Sequence, residues 1–148
     1  MSRVALCVAT FYTDLADRLE EGARSALDGC EVDRFSVPGA FELPLIARYA
    51  ATSGRFDAVV CLGAVIRGET DHYNWVCAEA ARGIQAVQLE TGVPCGFGVV
   101  TVENMEQALD RVTGGSKRDT GRSAAEAALA SLAVKQEMSG RRGSAGFV

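Results

Sequence analysis

The chain has 148 residues, 48% of them apolar, with 19 acidic against 15 basic residues, a formal net charge of −4 and a pI near 5.0. That is material for one domain with a real core, and basic residues scattered among acids exclude the electrostatic footprint of a nucleic-acid or anionic-membrane binder. The five cysteines (Cys7, Cys30, Cys61, Cys77, Cys95) form no C-x-x-C pair and sit mostly in apolar runs, so they read as reduced, buried thiols of a cytoplasmic protein, with no disulfide frame and no zinc site.

Taken in chain order, residues 3–9 (RVALCVA) are a short apolar run of strand-suited residues, and 13–29 place Leu15, Leu19, Ala23 and Leu27 at helical spacing. The N-terminus passes directly from that run into a charged amphipathic segment. No stretch approaches the ~20 apolar residues of a membrane span, so neither a signal peptide nor an anchor is expected. Residues 30–37 (CEVDRFSV) alternate like a strand, and 41–54 read as a helix closed by Ser53-Gly54. Residues 57–66 (DAVVCLGAVI) predict a fully buried strand, 71–92 a long helix, and 95–101 (CGFGVVT) a fourth buried strand. Two further helices, 103–112 and 121–138, flank the polar loop 113–120. The Gly/Ser-rich residues 139–148 predict a disordered tail, which leaves 1–138 as the domain.

Strand and helix alternate, and most of the strands are near-continuously apolar. This predicts a three-layer αβα domain, a doubly wound parallel sheet of about four strands covered on both faces. Such sheets bind ligands outside the carboxyl ends of their strands. The segments leaving those ends are 10–14, 37–44, 64–72 and 99–104.

Within 67–72 (RGETDH), a glycine turn leads into a helix whose free N–H groups suit an anion such as phosphate; an ordinary strand-to-helix turn is the alternative. Thr70 either caps that helix or binds an oxygen, and Arg111 reaches the same rim if the helix at 103–112 lies alongside. His72, the chain's single histidine, falls in the first helical turn, where an imidazole either caps and packs or shuttles protons. With no second histidine and no matched cysteines it makes no metal site.

VPGAFELP (37–44) brackets a Gly-Ala turn with two prolines, a stiff loop presenting Phe41 and Glu42 that suits a flat heterocycle with polar edges or serves only as a connector. Phe11 and Phe97 either stack on such a ring or belong to the core. No G-x-S-x-G, P-loop or dinucleotide fingerprint occurs. The alanine spacings at 78–83 and 124–130 suit close helix packing, on the sheet or at an oligomer interface.

VPGAFELP, LGAVIRGETDHYNWVCAEAARGI, TGVP, FGVVTVENMEQALDR and the alanine-rich last helix follow one another in the order and spacing of the lumazine synthases, the penultimate enzymes of riboflavin biosynthesis. The chain resembles that family from residue 3 to about residue 137. The resemblance implies a flavodoxin-like sheet. It also implies condensation of 5-amino-6-ribitylaminouracil with 3,4-dihydroxy-2-butanone 4-phosphate to 6,7-dimethyl-8-ribityllumazine, with release of phosphate and water and without cofactor or metal.

By the same resemblance, His72 is the catalytic proton shuttle, and Gly68, Glu69, Thr70 and Arg111 hold the phosphate. Phe11 stacks on the substrate ring. Gly39, Ala40, Phe41, Glu42, Ala64, Val65, Ile66 and Phe97 contact the pyrimidine and ribityl groups, Phe97 from a neighbouring subunit. The sequence departs from the family where its usual Arg-Phe-Asn is Thr10-Phe11-Tyr12, and where a phosphate-assisting lysine is replaced by Thr120. Lys117, Arg118 and Arg122 are the basic residues near enough in sequence to substitute for that lysine.

The short segment before the first strand and the 113–120 loop favour a homopentamer, with an icosahedral sixty-subunit shell left open and riboflavin synthase as a further partner. The alternative to the enzyme is a non-catalytic flavin- or lumazine-binding protein, or a cage subunit, on the same scaffold.

Overall fold

In the computed structural model, which describes residues 1–140, four strands form one parallel sheet in the order β2-β1-β3-β4. The strands are β1 (Arg3–Ala9), β2 (Glu31–Val37), β3 (Ala58–Ile66) and β4 (Cys95–Val102). Between and after them come α1 (Thr13–Ala26), α2 (Leu43–Thr52), α3 (His72–Thr91), α4 (Met105–Leu109) and α5 (Thr120–Met138). The expected three-layer flavodoxin-like α/β architecture is what forms. The expected tail lies largely outside the described residues: Ser139 and Gly140 close the last helix, and 141–148 are not described.

The layers follow from the two-residue period of a strand. Val4, Leu6 and Val8 of β1 and Val60 and Leu62 of β3 pack under α1, α4 and α5, with Leu15, Leu19, Ala124, Ala128 and Leu132. Ala5, Cys7 and Ala9 of β1 and Val59, Cys61 and Val65 of β3 pack on the other face under α2 and α3, with Leu43, Ala47, Ala80 and Ile84. Both central strands are therefore apolar at nearly every position, as a sheet covered twice requires. The register sets Val4 beside Val32 and Ala58, and Val59 beside Cys95.

The alanine spacing of the last helix serves this packing. Ala124, Ala125 and Ala128 are buried, whereas Ala127 and Ala130 face outward. Close approach of α5 to β4 depends on Gly96, where a Cβ would collide with the Ala124 carbonyl.

Three boundaries differ from the sequence reading. The first helix stops at Ala26 because Cys30 N–H bonds the Leu27 carbonyl at 2.9 Å and Gly29 turns the chain at φ 87°. The second starts at Leu43, preceded by a single 3₁₀ turn over Ala40–Glu42. The fourth is confined to Met105–Leu109, capped by Asn104 Oδ1, which accepts from Gln107 N–H at 2.9 Å.

Candidate functional site

The carboxyl ends of β1 and β3 and the 3₁₀ turn enclose an open cavity of about 390 Å³. Ten of its eleven lining residues come from three of the segments that the strand-end rule singles out: Phe11 and Tyr12; Gly39, Ala40, Phe41 and Glu42; Ala64, Val65, Ile66 and His72. Val76 completes the wall. It was not foreseen, although it lies four residues after His72 and so on the same helix face.

Glycine and proline shape the turn at 39–42. Gly63 of β3 lies behind it: a Cβ there would come within 3.1 Å of Ala9 Cβ, tighter than ordinary contact, and would touch Leu43 and Ala40 at 3.5 and 3.8 Å. Glu42 closes the turn, since its Oε1 accepts the Gly39 N–H at 2.9 Å while the Glu42 N–H donates to the Gly39 carbonyl at 3.2 Å. One oxygen of the carboxylate expected to meet a ligand is thus already engaged. Pro44 sits in the first turn of α2, where a proline costs no hydrogen bond.

The second wall of the cavity begins at the carboxyl end of β3. Arg67 N–H bonds the Val102 carbonyl at 2.9 Å, its guanidinium pairs with Glu103 at 2.9 Å, and it lies 4.3 Å over the Tyr73 ring. The chain is therefore pinned on both sides of the 68–71 turn. Thr70 Oγ1 accepts the His72 N–H at 3.3 Å from one residue ahead of the N-cap position, Asp71, whose own side chain makes no capping bond. No backbone N–H of residues 68–71 has a partner among the described residues, and this exposed turn stands at the positive end of the 20-residue helix α3. Among the described residues no cluster of three or more His, Cys, Asp or Glu is arranged to hold a metal ion.

Most of the predicted site residues come together, and some do not. Gly68, Glu69 and Thr70 lie in the turn beside the cavity and do not line it. Phe97 projects from the outer strand β4, 43% exposed. Arg111 lies beyond the end of α4, where its Nη1 donates to the Gln107 carbonyl at 2.9 Å and its own carbonyl accepts the Thr120 N–H. Neither Phe97 nor Arg111 reaches the cavity lined by His72 of the same chain.

None of the five cysteines lines the cavity. Cys7, Cys61 and Cys95 are buried and Cys30 and Cys77 half-buried, all as free thiols. Burial pushes the Cys95 thiol up to about 12, and contact with Cys7 together with burial pushes Cys61 well up. Among the described residues no helix is long and apolar enough to cross a membrane.

The family model described as 6,7-dimethyl-8-ribityllumazine synthase matches residues 1–136. A 6,7-dimethyl-8-ribityllumazine synthase of Sphingopyxis alaskensis is 50% identical over 139 residues, which cover 93% of this chain and 97% of that protein. Proteins of the same name from Synechococcus elongatus and Microcystis aeruginosa are 44% and 45% identical over 118 residues, covering 74% of this chain and 65% of each relative. A match over nearly the whole chain, to a fold that gathers three of the four expected strand-end segments into one cavity, leaves one assignment: the chain belongs to the 6,7-dimethyl-8-ribityllumazine synthase family.

Proposed function

We propose that this protein is a transferase of riboflavin biosynthesis that condenses 5-amino-6-ribitylaminouracil with 3,4-dihydroxy-2-butanone 4-phosphate, giving 6,7-dimethyl-8-ribityllumazine, phosphate and water. The observation that carries the reading is the convergence of Phe11, the 39–42 turn, Ala64–Ile66 and His72 on one cavity, in a chain of this family.

The roles follow from the chemistry of each wall. Phe11, 70% exposed on the rim, offers its ring face to the pyrimidine. Ala64, Val65, Ile66, Phe41 and Val76 supply the apolar wall, and the backbone of Gly39 and Ala40 with Glu42 Oε2 supplies polar edges for the uracil and ribityl groups.

Joining the amine of one substrate to the ketone of the other needs a proton delivered to the departing hydroxyl, and loss of phosphate needs a proton removed from carbon. His72, exposed at the mouth and within the cavity wall, serves both transfers as a shuttle. The unpartnered N–H groups of Gly68 and Glu69, with Thr70, take the phosphate at the start of α3.

Phe97 and Arg111, absent from their own chain's cavity, complete the cavity of a neighbouring subunit in this reading; their placement supports a homo-oligomer as the working form. We take that form to be a pentamer, with the sixty-subunit shell as the larger option and riboflavin synthase as a partner. We place the protein in the cytoplasm.

The test is to mix purified protein with the two substrates and follow lumazine absorbance and phosphate release against the uncatalysed background. Acceleration is expected. Tight lumazine or flavin binding without acceleration would instead make the chain a binding protein on this scaffold.

A further inference from the structure

Position 12 is the N-cap of α1, where Ser, Thr, Asp or Asn is favoured because a short side-chain oxygen can take an orphaned backbone N–H. Tyr12 stands there instead, at φ −103° and ψ 93°, and makes no capping hydrogen bond. The helix start forgoes a stabilising contact, and the ring is used elsewhere. It packs half-buried on the core beneath α1 and α5.

The Tyr12 ring also meets Phe11 edge-on, with centroids 4.9 Å apart and planes at 79°. Phe11 stands 70% exposed, and Tyr12 is its one aromatic partner among the described residues. Tyr12 lines two cavities at once. One is the cavity that holds His72; the other, about 470 Å³, lies between α1 and α4 and is walled by Arg18, Met105 and Leu109. The tyrosine therefore separates the two and backs the ring on the rim of the first.

We propose that Tyr12 is a positioning residue for pyrimidine recognition: in place of capping α1, its ring holds Phe11 in the orientation that stacks on the heterocycle. The inference rests on the stacking role given to Phe11 above. A ring held before binding loses less freedom when the substrate arrives, so the effect belongs in pyrimidine affinity and not in the chemical step.

The experiment compares Tyr12→Phe, Tyr12→Ala, Tyr12→Asn and Phe11→Ala by steady-state kinetics in each substrate and by thermal unfolding. Tyr12→Ala and Tyr12→Asn are expected to raise the KM for the pyrimidine roughly three- to tenfold, with kcat and the KM for the butanone phosphate unchanged. Tyr12→Phe, which keeps the edge-on ring, is expected to behave as wild type.

Tyr12→Asn supplies the missing cap oxygen, so its Tm should exceed that of Tyr12→Ala. A raised KM at undiminished stability separates positioning from loosening of the helix. A wild-type KM in Tyr12→Asn, or a Tyr12→Phe as impaired as Tyr12→Ala, would overturn the role of the ring. If Phe11→Ala raises the pyrimidine KM while Tyr12→Asn does not, only Tyr12 loses its role; if Phe11→Ala also leaves KM unchanged, the stacking assignment fails and this inference with it.

Discussion

The two ends of the sheet are built differently. At the amino end, charges are tied to one another: Arg3 N–H donates to Asp57 Oδ2 at 2.9 Å, the Arg3 side chain approaches Glu31 at 3.3 Å, and Arg55 pairs with Asp33 at 3.0 Å while lying 4.9 Å over the Phe56 ring. At the carboxyl end, Phe11 and Phe41 stand exposed, His72 is exposed on the cavity wall and the N–H groups of 68–71 have no partner among the described residues. The first end satisfies its own polar groups, and the second holds donors and ring faces open. Backbone donors left unpaired at a helix start and bare aromatic faces lower stability slightly, and they persist where a ligand takes them up.

If this contrast is functional, changes at the carboxyl end should alter kinetics, and changes at the amino end should alter stability alone. The largest effect is expected from His72→Ala, which should lower kcat by up to ~10²-fold with little change in Tm; an unchanged kcat would remove the proton-shuttle role. Arg111→Ala should raise the KM for the phosphate substrate by roughly tenfold or more, because a charge-assisted contact is lost. If KM holds, Arg111 has no phosphate role.

Gly63→Val tests the packing behind the cavity. The new side chain must displace Ala9 and Leu43, so a loss of about 1–3 kcal/mol in denaturant unfolding is expected, together with a raised pyrimidine KM as the 39–42 turn is pushed away. The smallest effect belongs to the amino end. Asp57→Ala removes the acceptor of the Arg3 N–H and should cost about 1 kcal/mol of stability while leaving both KM values and kcat untouched. A kinetic effect there would erase the distinction between the two ends.

Much of this layout was readable in the residues. The apolar runs at 3–9, 57–66 and 95–101 had to be covered twice, and the strand-end rule then named four segments, of which three meet in one cavity while 99–104 stays outside it. Short-range geometry was harder to read. The helix expected at 103–112 shrank to five residues, because a polar cap at Asn104 and the turn after Leu109 outweigh its periodicity. Val76 was missed as a wall residue, although its distance from His72 along the helix was a usable signal. The competition for Glu42 Oε1 and Thr70 Oγ1 depends on local backbone geometry that spacing does not express.

What the sequence by itself determined is the layer order, the family and three segments that meet in one cavity, since these rest on periodicity, on glycine and proline placement and on a run of motifs that spans nearly the chain. Only the tertiary structure decided which residues share a cavity: that Tyr12 backs Phe11 and forgoes its helix cap, and that Phe97 and Arg111 stand away from the His72 of their own chain. The physical reason is that a side chain's neighbours across the sheet are fixed by register and by how closely helices approach, and both are set by packing between residues far apart in sequence.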